Sequence, residues 1–379
     1  MLQWATSEKM PERFSGGPLP SLRASEPYSH VTDRALRWFL ESGIQEPAGG
    51  VSRYLRVDTQ QMRAASTEIT GYAAAALVLL HQVTGDSRAL DAAVRAGRFL
   101  TRVAWNPALD IIPFELDPAA PPPAYFFDSG IIARGLCALW RSTGDAEFRD
   151  IAVACARSMA QDFRGPSGYH PVLALPGKQP LPGDGRWSRE PGCYQLKAAM
   201  AWLETGAEEF TGLYEAALAS FLPAHAAFLD AEPDPERVMD RLHAYCYFLE
   251  GLLPRALRPD CAAALRDGIL RVRSLLDAIA PRFERSDVCA QLLRIRLYAA
   301  ALGAAPLDAP AAENEAARIL AFQYRDPAPP LNGAFCFGRR GSEWTPFANP
   351  VSTAFCVQAL EMWRQYQNGA FRADPRDLI

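Results

Sequence analysis

Apolar positions along this chain alternate between two kinds of helix, one almost free of charge and one with a charged face. A polar-then-apolar helix start returns about every fifty to sixty residues, six times in all. The six openings are Ser66-Thr67-Glu68-Ile69-Thr70-Gly71-Tyr72, Phe127-Asp128-Ser129-Gly130, Gly192-Cys193-Tyr194-Gln195, His243-Ala244-Tyr245-Cys246-Tyr247, Asp287-Val288-Cys289-Ala290-Gln291 and Asn349-Pro350-Val351-Ser352-Thr353. A helix with few charges is predicted to be buried all round, and one with a polar stripe to lie outside it. Glu68 to Val83 is of the first kind, Thr84-Gly85-Asp86 turns the chain, and Ser87 to Val103 carries Arg88, Arg95, Arg98 and Arg102. The same grammar returns in Asp128 to Trp140, Ser142-Thr143-Gly144-Asp145 and Ala146 to Gln161. Later pairs are Gly192 to Thr205 with Glu208 to Phe228, Pro235 to Leu253 with Pro259 to Ile279, and Asp287 to Leu302 with Ala311 to Tyr324. Val351 to Tyr366 has no outer helix after it, and Thr32 to Ser42, amphipathic and at the other end of the chain, supplies one. Twelve helices in six pairs predict an all-α (α/α)6 toroid, inner ring buried and outer ring amphipathic.

A closed array predicts one domain over residues 30–369, preceded by an extended segment, 1–29, and followed by a charged tail, 370–379. The connectors Gly49 to Ala65, Asn106 to Tyr125 and Gly165 to Pro191 are long, and the last two are rich in proline or glycine. Each ends where a buried helix begins, which gathers them on one rim, where function concentrates.

Composition narrows the classes. With 49% hydrophobic and 22% charged residues the chain can bury a large core. A net charge of −4 gives no basic footprint for nucleic acid. The eight cysteines mostly lie in apolar helical stretches without CxxC pairs and read as reduced core thiols. Met1 to His30 shows no secretory leader pattern, and the longest apolar run, Tyr72 to Leu80, falls short of the ~20 residues that span a bilayer. A soluble, cytoplasmic protein with no transmembrane segment is expected. P-loop, GxGxxG, HExxH and GxSxG signatures are absent, so no cofactor is expected and catalysis falls to scattered rim residues.

Glu68, Asp128 and Asp287 sit at or near the starts of buried helices, where a toroid brings them to one rim. Two carboxylates about 5–10 Å apart suit glycoside hydrolysis. An acid at a helix start also serves as a cap for ~1 kcal/mol, and Asp128 and Asp287 carry both readings. His243 shares a face with Tyr247, and an imidazole there suits proton transfer alpha to a uronate carboxylate, as in epimerases and lyases. Catalytic candidates are therefore Glu68, Asp128, His243 and Tyr194. Sugar-contacting candidates are Tyr72, Tyr245, Asp287 and Gln291 on the helix openings. His170 and Arg189, beside Trp187 on the third connector, and Arg339 and Trp344 on the last one suit stacking and carboxylate binding.

The run Phe127-Asp128-Ser129-Gly130-Ile131-Ile132-Ala133-Arg134-Gly135-Leu136 resembles the "FDTGQ…GL" opening of bacterial toroid proteins of exopolysaccharide and lipopolysaccharide clusters (VpsJ-like). Ser66 to Tyr72, Pro191 to Trp202, His243 to Leu252 and Asp287 to Leu297 share it, over most of Gly50 to Trp363; Ser129 replaces the common threonine and Ile131 the frequent glutamine. The group is similar to six-hairpin glycosidases, the helical domain of glucuronyl C5-epimerases, N-acylglucosamine 2-epimerases and unsaturated glucuronyl hydrolases. That resemblance implies an oligosaccharide ligand, uronate-containing, handled by hydrolase, epimerase or lyase chemistry, and contact with polysaccharide-synthesis enzymes. Two other classes stay open on the same fold. One is a non-catalytic glycan-binding or assembly protein. The other is an isoprenoid pocket lined by Phe126, Phe127, Tyr245 and Tyr247. Asp287-Val288-Cys289 resembles the Asp-x-Cys of protein prenyltransferase beta subunits, which with His243 makes a zinc set the alternative to no metal.

Overall fold

The computed structural model describes residues 28–116, 122–166, 168–230, 232, 234–325 and 330–379, so the predicted N-terminal segment lies almost wholly outside the described residues. An inner ring is built from α2 (Thr67–Thr84), α4 (Phe126–Thr143), α6 (Gln195–Glu204), α8 (Pro235–Leu252), α10 (Ser286–Ala301) and α12 (Pro350–Gln367). Outside it run α3 (Ser87–Arg98), α5 (Ala146–Gln161), α7 (Leu213–Phe221), α9 (Pro259–Ile279) and α11 (Ala309–Leu320). Each inner helix packs on the next and α12 packs on α2, which closes the ring; α1 (Tyr28–Glu41) lies against α12 and α2 and completes the outer layer. The fold is an (α/α)6 toroid.

The turn chemistry is the same in the first two hairpins. Gly85 and Gly144 end α2 and α4 at φ 72°, a left-handed conformation open to glycine, and their N–H groups donate to His81 O and Trp140 O. Asp86 and Asp145 then cap the outer helices by accepting from Arg88 N and Glu147 N. Where the sequence predicted one outer helix over Glu208 to Phe228, the chain is broken. It forms a 3₁₀ turn at Glu208–Phe210, α7, and another at His225–Phe228, with Gly212 at φ 82° before α7 and Pro223 after it.

The rim connectors are zipped into small antiparallel sheets. Leu55–Arg56 pairs with Gln61–Met62 on one side and with Phe347–Ala348 on the other, so the first and last connectors are joined where the ring closes. Glu284–Arg285 pairs with Gly338–Arg340, and Ala124–Tyr125 with Val172–Ala174.

The inner ring is not apolar throughout. Lys197 Nζ meets Glu250 Oε2 at 2.6 Å, Arg294 pairs with the other oxygen of Glu250, and all three side chains are fully buried. Lys197 also lies over the rings of Tyr72, Tyr247 and Phe355 at 5.5, 4.8 and 4.9 Å. Burial pushes its ammonium down to about 7 against the attraction of Glu250. Two helices approach closely at Gly135, where an added Cβ would stand 2.3 Å from Gly71 O. Gly135→Ala is therefore expected to destabilise the fold by about 1–3 kcal/mol in urea unfolding, as overpacking does; an unchanged midpoint would show that α2 and α4 can part.

Candidate functional site

Glu68 and Asp128 stand in the first turns of adjacent inner helices, each 2% exposed. Neither is the N-cap: those positions belong to Ser66 and Tyr125, neither of which makes a side-chain cap bond. Burial pushes the Asp128 carboxyl up to about 7, the Glu68 charge adds to the rise, and Arg53 opposes it. Arg53 comes from the Gly49 to Ala65 connector and bears electrostatically on both carboxyls. These two acids are thus within electrostatic reach of each other and of one guanidinium.

Arg53 belongs to a partly exposed band. Its guanidinium lies 4.6 Å from the centre of the Phe114 ring and pairs with Glu115. Phe114 meets Tyr125 edge-on at 5.6 Å, and Arg189 Nε donates to Tyr125 Oη at 3.4 Å. The Arg53 and Arg189 side chains are 18% and 22% exposed, so solvent reaches this band while the acids lie within. Two cationic planes with two aromatic rings make a surface suited to a sugar face and a carboxylate.

Across the lumen His243 is neutral. Burial pushes it down to about 3, with the Arg285 charge acting the same way, and its Nδ1–H donates to Gln291 Oε1 at 2.8 Å. Asp287 Oδ2 stands 3.6 Å from the same nitrogen. Despite complete burial, Asp287 is held below the usual carboxylate range by Arg285, which donates to its two oxygens at 2.9 and 2.7 Å and to Asp240 at 2.8 Å. His243, Gln291, Asp287 and Arg285 form one internally satisfied network, so Asp287 and Gln291 have bonds to each other's partners where the sequence suggested bonds to sugar.

Several other candidates are held by partners of their own. The Tyr194 hydroxyl donates to Glu190 O at 3.1 Å and Ser188 O at 3.3 Å, and burial, with the Asp128 charge, raises it far above its ordinary value. Tyr245 bonds His225 Nδ1 at 2.9 Å on the outer side of α8. Arg339 is taken by the buried Glu284, at 2.7 Å from Nε, because the Gly338–Arg340 strand lies beside Glu284–Arg285. Trp344 stacks edge-on against Tyr324 at 4.8 Å, and the His170 ring covers Gly165. Tyr72, one turn below Glu68, faces Phe355 at 5.2 Å and lines the lumen floor.

Two alternative sets are not assembled. Cys289 Sγ is directed to Glu284 Oε1 at 3.6 Å and Asp287 is occupied by Arg285, so these residues and His243 do not converge as zinc ligands. Among the described residues no group of three or more His, Cys, Asp or Glu is placed to hold a metal. Phe126 packs outward on Phe163, Tyr169 and Trp202, and Tyr245 outward on His225, which dismantles the expected aromatic isoprenoid lining.

The residues missed from sequence were Arg53, Phe114 and Tyr125, and, deeper, Lys197, Glu250 and Arg294. The second group had a legible signal, since a charge inside an otherwise uncharged helix must find a partner. Arg53 had none beyond lying on a rim connector.

The acid and the imidazole shift in opposite directions, with a consequence for stability. A carboxyl raised in the fold stabilises it at low pH and loses that contribution as pH rises through about 7. An imidazole lowered in the fold costs stability as pH falls from its ordinary value towards about 3. Between roughly pH 4 and 6.5 the two slopes oppose each other, each up to ~1.4 kcal/mol per pH unit. In Asp128→Asn the His243 slope is left alone, and urea unfolding is expected to show stability climbing with pH more steeply than in the parent. Equal slopes would count against the raised Asp128.

No protein-family profile matches the chain, and no curated protein is significantly similar in sequence. Solved structures are similar in fold. Cellobiose 2-epimerase from Spirochaeta thermophila superposes with a TM-score of 0.65 at 15% identity, over 89% of this chain and 97% of that one. D-mannose isomerase gives 0.63 at 10% identity over 90% and 99%. Unsaturated glucuronyl hydrolase from Bacillus sp. GL1 gives 0.61 at 14% identity over 90% and 97%. At such identities the likeness shows the fold: the chain is an (α/α)6 toroid.

Proposed function

We propose that this protein is a carbohydrate-active enzyme of bacterial polysaccharide biosynthesis or modification, acting on a uronate-containing oligosaccharide by acid/base chemistry of hydrolase, epimerase or lyase type. The observation that carries it is the pair Glu68 and Asp128, both buried and within electrostatic reach of each other and of Arg53, with Asp128 shifted so that it holds a proton near neutrality. In this reading Asp128 delivers a proton and Glu68 takes one, the division of labour that unequal environments impose on two carboxyls. Arg53 and Arg189 hold the sugar carboxylate, and Phe114 and Tyr125 offer ring faces. His243 acts as a neutral positioning group through Gln291. Structural neighbours that process sugars, a cellobiose 2-epimerase, a mannose isomerase and an unsaturated glucuronyl hydrolase, support the substrate class. In this reading the protein works in the cytoplasm among polysaccharide-synthesis enzymes; no described helix is long and apolar enough to cross a membrane. The chemistry is read on this chain's own side chains, without a cofactor.

The test is incubation of the purified protein with uronate-containing and neutral oligosaccharides in D₂O, with products followed by NMR and mass spectrometry. Deuterium at the carbon alpha to the carboxylate marks epimerase chemistry, an unsaturated end marks a lyase, and a new reducing end without unsaturation marks a hydrolase. Saturable binding with no product would favour the glycan-binding alternative. Neither binding nor turnover on any uronate would sink the substrate class.

A further inference from the structure

The far pole of the toroid, at the C-terminal ends of the inner helices, holds a segment of the chain itself. Residues 371–379 fold back into the lumen, and Leu378 and Ile379 are each 3% exposed. The hydrogen bonds that hold this segment run to its main chain and come from side chains of four inner helices. Arg134 Nη2 donates to Leu378 O at 2.6 Å and Arg141 Nη2 to Arg376 O at 2.8 Å. Lys197 Nζ and Arg294 Nη1 converge on Ile379 O at 2.8 and 3.2 Å. Tyr298 Oη donates to Asp374 O at 2.8 Å; Gln358 donates to Asp377 O at 2.7 Å and accepts from Ile379 N at 3.0 Å. The polar side chains of the segment look elsewhere: Arg376 bonds Asp374 within it, and Arg372 is exposed.

This is how a receptor reads an extended peptide: main-chain oxygens taken by fixed donors, specificity left to apolar side chains in a recess. The segment also does not sit in a solid core. A cavity of about 620 Å³ runs along it, walled by α2, α4, α12 and the segment itself, so it has a path out that leaves the ring intact. Asn368, Gly369 and Ala370, which lead into it, are exposed.

We propose that the far pole is a peptide-binding site, occupied in cis by residues 371–379, whose ligand class is an extended peptide bearing two consecutive aliphatic residues. Lys197 and Arg294, the donors at its inner end, also pair with Glu250 beneath Tyr72 and Tyr247, so the bound segment closes the floor of the lumen. The site stands independently of the carbohydrate reading.

The test keeps the folded chain whole and then cuts it. A specific-protease sequence is inserted at Gly369, the folded protein is cleaved, and gel filtration asks whether the released fragment, which carries residues 371–379, stays. It is expected to co-elute with the toroid, and to be lost when Gln358→Leu removes both of that residue's main-chain bonds. Toroid stripped of the fragment is expected to melt lower and to recover on adding a synthetic peptide of residues 371–379. Peptides with Arg372→Ala and Arg376→Ala should bind within about threefold of the parent, and one with Leu378→Gly and Ile379→Gly at least tenfold more weakly. Immediate loss of the fragment without rebinding would overturn the site, and equal weakening by the arginine replacements would overturn main-chain recognition. If Gln358→Leu fails to fold, trypsin cleavage after Arg372 in intact Leu378→Gly, against resistance in the parent, reads the same release; equal resistance in both would also overturn it.

Discussion

Asp128→Asn is expected to lower turnover of a uronate substrate by about 10²–10⁴-fold while changing its binding little, because a positioned general acid contributes that much to a rate and little to ground-state affinity. The amide keeps the shape of the side chain and removes its proton. The parent should lose activity as pH rises through about 7, where Asp128 gives up the proton it must deliver, and this limb should vanish from the residual activity of the variant. Glu68→Gln should cost a comparable factor, since Glu68 takes the proton in the same step. The two losses should not add in the double variant, because both groups serve one step. Full activity in either single variant would remove the pair from the mechanism, and a large loss of binding in both would return them to a structural role.

The largest effect on stability is expected at Glu250. Its two oxygens are divided between Lys197 and Arg294, and all three groups are fully buried. In Glu250→Gln the carboxylate that compensates two buried cations is gone, and removing one partner of a buried pair costs ~3–5 kcal/mol. Lys197 can shed its proton to relieve the strain, being already lowered to about 7, whereas Arg294 cannot. The loss should therefore be smaller above neutral pH than below it, in urea unfolding at two pH values. On the outer layer, Arg157→Ala breaks a pair with Glu209 in which the two side chains are 45% and 42% exposed, and should cost under ~1 kcal/mol. A Glu250 variant as stable as Arg157→Ala would show that the lumen is wetter than its burial implies.

The two acids illustrate how much of a site can be read along a chain. Glu68 and Asp128 were singled out because each opens a stretch of helix with few charges, and the frame of repeats set both on one rim. Asp287 looked equivalent and is not. Arg285, immediately before its helix, folds back and donates to both its oxygens. Nothing in the spacing distinguishes an acid with an arginine two residues away that turns inward from one whose arginine turns out. Arg339 and Trp344 failed for a related reason: the strand at Gly338–Arg340 pairs with Glu284–Arg285, and that register hands Arg339 to Glu284.

What the sequence determined by itself was the ring. A period of one hairpin, with charge confined to alternate helices and Thr-Gly-Asp turns of local geometry, depends on neighbours in the chain, and local interactions are written in local residues. The contents of the lumen were decided only in three dimensions. The partners of Asp128 include Arg53, from the connector before the preceding inner helix, and Lys197 meets Glu250 and Ile379 from positions 53 and 182 residues away. In a closed toroid every inner helix faces the same axis, so residues remote in sequence compete for the same few partners. Burial then makes each choice of partner costly to change, and it is that choice, more than the residue types, that sets how each acid is held.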